Sequence, residues 1–489
     1  VTKYGYTSLS AYAVNNFDPD LVFDFKQNYY RKGGTATTLN PAVTHSRAGQ
    51  ATMTDSDGLL KWAPHNLLKY SNDFTNGLWT KQAITLTGSG VSPSGLTDAT
   101  VITASALSAQ HRIYQNLATI SSYSKSVYAK AGTANFISIN GGTASVGYAV
   151  FNLSTGVVSS QANIVQATME DVGNGWYRCS IHGTVATQWM IVNMGTTDAN
   201  AVPQVDWLGA GETVQLYGAH MFRRDLGGMV NNSATSNSYV PTTNSAVYAP
   251  RVGHHVYNGS AWVNEGILHE SEARTNLVDI SNSFNVWNRL NTSVTASTET
   301  SPSGSADAFI VKPTVSSGIT WIFYLPQINT GVVTTISTFA KASGKPFLTM
   351  SNSSGSSKYA SFNLTTGAVG TVASGYTANM EDFDNGWYRC SVTTPTGFNE
   401  RAVFAVSDTD GGAEAVANGN DGILLYGAQI EAGATPSSYI PTSGSQVTRA
   451  AETLTVPAAN LPYSSTNMSV QMNGKMTYAD KGQLYEVAH

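Results

Sequence analysis

Holding a sugar requires flat aromatic faces flanked by hydrogen-bonding side chains. This sequence supplies both, with nine tryptophans, 24 tyrosines and 16 phenylalanines among abundant polar residues. Aromatic residues that recur at matching places in an internal repeat are expected to serve the fold: Trp176 with Trp387, Tyr177 with Tyr388 and, more loosely, Trp79 with Trp287. Those present in one copy alone are the candidates for glycan contact, namely Tyr114, Tyr148, Trp189, Trp207, Trp321, Phe323 and Tyr324. Packing and subunit interfaces compete for the same residues. The run Trp321-Ile322-Phe323-Tyr324-Leu325 is the most apolar in the chain. A strand apolar on both faces is expected to be buried twice, which favours an interface between subunits there.

Chemistry that breaks bonds is less well provided for. Glycoside hydrolysis needs two carboxyl groups at fixed separation. The candidates are Glu170/Asp171 and Glu381/Asp382/Asp384, which precede Gly-Trp-Tyr in both copies. Their plainer roles are an Asx turn or a pairing with Arg178 or Arg389, and calcium is a third option that needs several converging oxygens. Cys179 and Cys390 share the context Trp-Tyr-Arg-Cys-Ser and have no His or Asn at a common offset. They read as buried free thiols rather than nucleophiles or a disulfide. His254-His255 has no third ligand nearby and reads as a surface pair rather than a zinc site. No phosphate-binding loop, nucleophile elbow or metalloprotease helix occurs. The expectation is a non-enzyme with no catalytic residue, resident metal or cofactor.

The elements that position these residues come from a duplication. Asn-Gly-Trp-Tyr-Arg-Cys-Ser occupies 174–180 and recurs at 385–391, so that 390 less 179 sets an offset of 211. Phe151-Asn152-Leu153 matches Phe362-Asn363-Leu364, Ala129-Lys130-Ala131 matches Ala340-Lys341-Ala342, and Asn66-Leu67 matches Asn276-Leu277. Leu216-Tyr217-Gly218-Ala219 matches Leu425-Tyr426-Gly427-Ala428, and Ser238-Tyr239-Val240-Pro241-Thr242 matches Ser438-Tyr439-Ile440-Pro441-Thr442. The copies are far longer than solenoid repeats, so each is a domain with its own core. Short Val/Ile/Thr/Tyr/Phe runs alternate with polar residues and are separated by turn signals such as Asn174-Gly175 and Gly141-Gly142. Gly156, in Phe-Asn-Leu-Ser-Thr-Gly, is expected at positive φ in a tight turn. The sequons at Asn152 and Asn363 fall in that same hairpin and read as unmodified turns.

The fold class is therefore all-β, with tandem jelly-roll or β-sandwich modules behind an N-terminal anchoring segment. The expected divisions are a 1–63 attachment segment, a 64–250 module, a 251–273 linker, a 274–451 module, and 452–489 as a further β segment or inter-subunit tail. That last segment opens at Met468-Ser469-Val470, and the native chain is expected to continue past His489 or to pair there with another subunit.

Composition narrows the setting. Across 489 residues only 12% are charged, and the net charge is −5 with no basic block. That argues against nucleic acid, whose binders need a phosphate-facing Lys/Arg surface. No apolar run approaches the ~18 residues of a membrane helix, and no secretory signal opens the sequence at Val1.

Several motifs together resemble a module frequent in tailed-bacteriophage virion fibre and spike proteins. They are Asn66-Leu67-Leu68-Lys69-Tyr70-Ser71-Asn72-Asp73-Phe74 with Trp79-Thr80-Lys81, then Gly-Trp-Tyr-Arg-Cys, Tyr-Gly-Ala-Gln-Ile-Glu at 426–431, Ser-Tyr-Ile-Pro-Thr at 438–442 and Thr448-Arg449-Ala450-Ala451-Glu452. His45-Ser46-Arg47-Ala48 and Asp55-Ser56-Asp57-Gly58 are similar to the segment that precedes such modules, and Glu272-Ala273-Arg274-Thr275-Asn276-Leu277 is similar to their lead-in. Copy one departs at its exit, where His220-Met221-Phe222-Arg223-Arg224 replaces Gln-Ile-Glu. The resemblance implies a carbohydrate-binding-module-like sandwich on a tail or head fibre at the virion surface. It also implies a homo-oligomer (a trimer by analogy), other virion proteins contacted through the N-terminal segment, and a bacterial surface glycan as ligand. A structural capsid or tail decoration is the alternative. A depolymerase spike and a secreted bacterial sugar-binding protein are weaker ones.

Overall fold

A computed structural model of the chain describes residues 12–13, 18–143, 145–235, 237–325, 331–352, 359–394, 401–462, 464, 466 and 469–475. The chain divides into two compact units, Trp62–Ala249 and a second made of Val1–Lys61 with Pro250–His489.

The first unit is a sandwich of twelve principal strands: β1 (Thr80–Gln82), β2 (Ile84–Gly90), β3 (Ala99–Ala104), β4 (Arg112–Ile120), β5 (Tyr123–Ala131), β6 (Phe136–Asn140), β7 (Tyr148–Asn152), β8 (Val157–Ala162), β9 (Gln166–Gly173), β10 (Trp176–Gly183), β11 (Thr187–Gly195) and β12 (Thr213–Arg223). One antiparallel sheet runs β9-β10-β5-β12-β3-β2 and the other β8-β7-β6-β11-β4-β1. Alternation sets the faces. Val127, Ala129, Cys179 and Ile181 from the first sheet, with Ile113, Ile137, Ile139, Met190 and Val192 from the second, fill one buried core. Burying a side chain of this size contributes roughly 1.5–3 kcal/mol, so the core dominates the stability of the unit.

The second unit repeats the plan with β13 (Asn288–Leu290), β14 (Thr292–Ala296), β15 (Phe309–Pro313), β16 (Trp321–Tyr324), β17 (Thr334–Ser343), β18 (Phe347–Ser351), β19 (Tyr359–Asn363), β20 (Ala368–Val372), β21 (Thr377–Asp382), β22 (Trp387–Thr394), β23 (Ala402–Ser407) and β24 (Gly422–Ala432). Its sheets run β21-β22-β17-β24-β15-β14 and β20-β19-β18-β23-β16-β13. Strand for strand, this is the order of the first unit. One ladder irregularity recurs as well. The β5·β12 ladder slips between Ser126 and Tyr128, and the β17·β24 ladder between Ser337 and Phe339. The residues that absorb the slip are Gly218 (φ +61°) and Gly427 (φ +63°), and a Cβ at Gly218 would come 2.8 Å from the Tyr128 ring.

The repeated sequence motifs are hydrogen-bond clamps. Asn66 is fully buried; its Nδ2 donates to the carbonyls of Ala219 (3.0 Å) and Val240 (2.8 Å), and its Oδ1 accepts from the N–H groups of Leu68 and Met221. Asn276 does the same with Ala428, Ile440, Val278 and Ile430. All four bonding positions of each amide are thereby used. Tyr239 and Tyr439 bond the hydroxyls of Ser71 (2.9 Å) and Ser281 (2.7 Å). Trp176 and Trp387 donate from the indole to the carbonyls of Val91 and Thr300, 3.0 Å each. Trp79 and Trp287 lie buried against Phe74 and Phe284. The turns follow the expected chemistry, with Gly156 at φ +73° and Gly367 at φ +74°. Asn152 and Asn363 cap the same hairpin by accepting from the next backbone N–H groups.

Within the second unit the N-terminal segment forms an antiparallel sheet of Val22–Asp24, Tyr29–Lys32 and Thr35–Thr37. Tyr30, Phe23 and Phe25 pack with Val252 and Ile267. The latter two belong to a hairpin of Arg251–Tyr257 and Trp262–Leu268, so the stretch read as a linker carries a hairpin of its own. Beside it Arg47, Arg251 and Arg449 meet Glu270 and Glu452. Arg251 Nη2 lies 2.7 Å from Glu270 and 2.9 Å from Glu452, Arg449 Nε lies 3.1 Å from Glu270, and Arg47 pairs with Glu452. His254 departs from the surface position expected of it. Its ring accepts from the Thr54 N–H, and burial, with Arg251 nearby, lowers its pKa to about 4. Of the expected C-terminal β start, Met468 lies outside the described residues, and 469–475 form no strand.

Candidate functional site

The outward face of the β8-β7-β6-β11-β4-β1 sheet carries the chain's candidate site. On β4, Ile113 points into the core, so Arg112 and Tyr114 point out; on β11, Met190 and Val192 point in, so Trp189 and Ile191 point out. The register sets Tyr114 opposite Ile191, and Asn116 opposite Trp189. The Tyr114 and Trp189 rings meet edge to face, with centroids 5.5 Å apart and planes at 75°. The Arg112 guanidinium sits 5.4 Å from the Tyr114 ring centroid, and its Nε donates to Gln82 Oε1 at 2.8 Å.

A loop closes one side. Thr187 Oγ1 donates to the Gly141 carbonyl at 3.1 Å, and Gly142 (φ +116°) lies so near the indole that a Cβ there would stand 3.3 Å from Trp189 Cδ1. Together with Thr143 and Gln188 these residues line a cleft of about 420 Å³, within the roughly 300–1,000 Å³ of small-ligand sites. Arg112 is the one ionised side chain in that lining. Its burial lowers its pKa, partly offset by Tyr114 and Asp206. Two aromatic rings, a cation, a hydroxyl and an amide can hold a polyhydroxylated ring. The lining offers no carboxyl group to act as acid or base on it.

The other sequence candidates fall elsewhere. Tyr148 shares the cross-strand row Tyr114–Ile191–Asn140–Tyr148, three strand spacings or ~14 Å from Tyr114. Trp207 meets His111 at a tilt, with centroids 4.3 Å apart and planes at 59°, and packs against the core. Tyr324 accepts from the Asp279 N–H at 3.1 Å, the task Gln115 performs for the Lys69 N–H in the first unit. Trp321 and Phe323 project from the outward face of β16 around the buried Ile322, and Leu325 is 55% exposed, so the run is buried on one face only within the chain.

The repeated carboxylates make turns. Asp171 accepts from the Gly173 N–H and Asp382 from the Asp384 N–H. The arginines beside them turn away, Arg178 to the Ser238 hydroxyl and Arg389 to the Ser437 carbonyl, 2.6 Å each. Among the described residues no three His, Cys, Asp or Glu converge as a metal site would require. Both cysteines are free and buried, and burial pushes their thiol pKa values up. Sequence reasoning passed over Arg112, Gly142 and Gln188. Arg112 had a usable signal, standing two residues before Tyr114 and so on the same strand face.

No protein-family model matches the sequence, and no curated protein does. Among solved structures, the N-terminal CBM22-1–CBM22-2 tandem domain of Xyn10C from Paenibacillus barcinonensis aligns over 76% of this chain and 98% of its own, at 12% identity and a TM-score of 0.25. A mutant of the oxalate decarboxylase OxdC from Bacillus subtilis aligns over 76% and 79%, at 8% identity and a TM-score of 0.10. The assignment of tandem β-sandwiches rests on the strand orders above.

Proposed function

We propose that this chain is a non-enzymatic glycan-binding protein whose first sandwich holds a sugar in the Tyr114–Trp189 cleft. The observation that carries the reading is the edge-to-face ring pair, floored by Ile191 and flanked by Arg112, in an open cleft of about 420 Å³. An edge-to-face pair offers a ring face for the apolar side of a pyranose, and the guanidinium and Gln188 can donate to its oxygens. The open cleft favours binding over a purely structural spacer. The motif resemblance described above supports a setting on a bacteriophage fibre or spike, displayed as an oligomer, where many weak sites would act together on a bacterial surface glycan.

The test is affinity electrophoresis of the full chain through gels containing host-surface polysaccharides, with a glycan array beside it. Retardation that Trp189→Ala weakens about tenfold, roughly one lost aromatic stacking contact, supports the reading. Migration unaffected by any polysaccharide, or retardation that Trp189→Ala leaves unchanged, overturns it.

A further inference from the structure

The ladders align the outward faces of the two copies position by position. Ile137 lies opposite Met194 and Leu348 opposite Val406, which makes Asn193 equivalent to Ala405, Ile191 to Val403 and Trp189 to Arg401. Arg112 lies opposite Asn193 and Trp321 opposite Ala405; Tyr114 lies opposite Ile191 and Phe323 opposite Val403. The three site positions of the first unit, Arg112, Tyr114 and Trp189, are therefore Trp321, Phe323 and Arg401 in the second. Each copy holds one arginine, one tryptophan and one single-ring aromatic, with the arginine and the tryptophan exchanged. In both, the guanidinium lies over the single ring, 5.4 Å from the centroid for Arg112 on Tyr114 and 4.7 Å for Arg401 on Phe323. The core does not ask for this set, since Ile322 and Phe404 supply the inward faces of β16 and β23.

The cation also has a preference of its own. Arg112 forms no ion pair among the described residues, and its one side-chain hydrogen bond is the Nε donation to Gln82. Arg112 lines a cleft whose lining contains no carboxylate, and Asp206 acts on it through its charge and not through a hydrogen bond. A half-buried guanidinium with both terminal nitrogens available matches a carboxylate, which it can bind through two parallel charge-assisted bonds.

We propose that Trp321, Phe323 and Arg401 form a second glycan site, and that both sites select sugars bearing a carboxylate. The sugar ring lies on the aromatic face and its acid group on the guanidinium, at opposite ends of the aromatic pair in the two copies. The proposal rests on the glycan-binding reading of the first cleft, and its test separates the two.

The full chain is run against polygalacturonate, alginate, hyaluronan and polysialate, each paired with the same polymer after its carboxyl groups are reduced to alcohols. Tetrasaccharides of any polymer that binds are then titrated calorimetrically. The expected result is that at least one acidic polymer binds, that its reduced form binds about tenfold or more weakly, and that affinity falls as salt rises. The tetrasaccharide should occupy two sites per chain, with Arg112→Gln and Arg401→Gln each removing one. Phe323→Leu provides a second probe of the second site should Arg401→Gln fail to fold. Equal binding of acidic and reduced forms overturns the acid selectivity. A single site that Arg112→Gln abolishes overturns the second site. Binding of neutral glycans alone overturns this proposal while leaving the glycan-binding reading standing, and binding of no polysaccharide in either form overturns both.

Discussion

Lys125 offers the sharpest test of the packing described here. It lies on β5, between Tyr123 and Val127, on the face that fills the first core, and it is fully buried. Its ammonium donates to the Asn140 carbonyl at 3.0 Å and stands 4.4 Å from the Tyr123 ring centroid. No carboxylate pairs with it among the described residues. The equivalent residue of the second unit is Ile336, fully buried in its own core. Burial lowers the Lys125 pKa from 10.5 to about 7.

The sign follows from linkage. Between pH ~7 and ~10.5 the unfolded chain holds a proton at Lys125 that the folded chain has released, so stability rises with pH through that window. Lowering the pKa from 10.5 to about 7 corresponds to a full penalty of about 5 kcal/mol below the window. It remains about 4 kcal/mol at pH 7 and falls to about 1 kcal/mol at pH 9.5. Lys125→Met keeps the length and removes the charge, at the loss of one hydrogen bond worth ~1 kcal/mol. At pH 7 the variant should therefore be more stable by about 3 kcal/mol. In a unit of this size that raises its melting temperature by about 6–12 °C. By pH 9.5 the advantage should have vanished. Calorimetric melting of both proteins at pH 7, 8 and 9.5 reads the difference directly. Parallel pH profiles, or a variant destabilised at pH 7, would refute the placement of a charged side chain inside this core.

The buried charge cluster of the second unit predicts acid lability. For both Glu270 and Glu452 burial would raise the pKa, but Arg251, joined by Arg449 at Glu270 and Arg47 at Glu452, outweighs it and holds each at about 2. These folded-state values lie below the unfolded 4.5, so the stabilisation is present above pH ~4.5 and lost as pH falls toward about 2, and a melting temperature flat across that range would contradict it. Glu452→Gln should cost ~3–5 kcal/mol at pH 7 by leaving Arg47 and Arg251 buried without it, read as an earlier denaturant midpoint. Asn276→Ala strands two carbonyls and two N–H groups and should cost ~2–4 kcal/mol, whereas a change under ~0.5 kcal/mol would show that the clamp is dispensable.

The duplication and the strand pattern were legible in the sequence because hydrogen-bond clamps demand particular residues. Asn276, Ser281, Tyr439 and Thr442 bond one another or the adjacent backbone, so the motif returns nearly intact in both copies. Turn glycines were legible for the same reason, since positive φ leaves few alternatives. Tyr114 and Trp189 were singled out because they differ between copies, and the structure brings their rings together. Arg112 and Arg401 were not, because an arginine matched by a tryptophan reads as simple divergence until the ladders show the exchange. Lys125 was hidden too. A lysine between two serines carries no signal of burial, and the register of Val127 against Cys179 places it on the inward face. Tyr324 looked like a recognition residue because its counterpart, Gln115, shares its task but not its chemistry.

A clamp residue and a site residue differ in what their loss leaves behind. Replacing Asn66 strands buried polar groups on Leu68, Met221, Ala219 and Val240, which is why its counterpart is again asparagine. Replacing Arg112 frees only the Gln82 amide, near the surface, so the fold tolerates tryptophan in the equivalent place. Tolerance alone would scatter residue types at the three outward positions. Instead an arginine, a tryptophan and a single-ring aromatic return, with the arginine and the tryptophan exchanged. What the two faces share is then an arginine beside two aromatic side chains that neither core requires, and that is the physical ground for proposing two sites on this chain and not one.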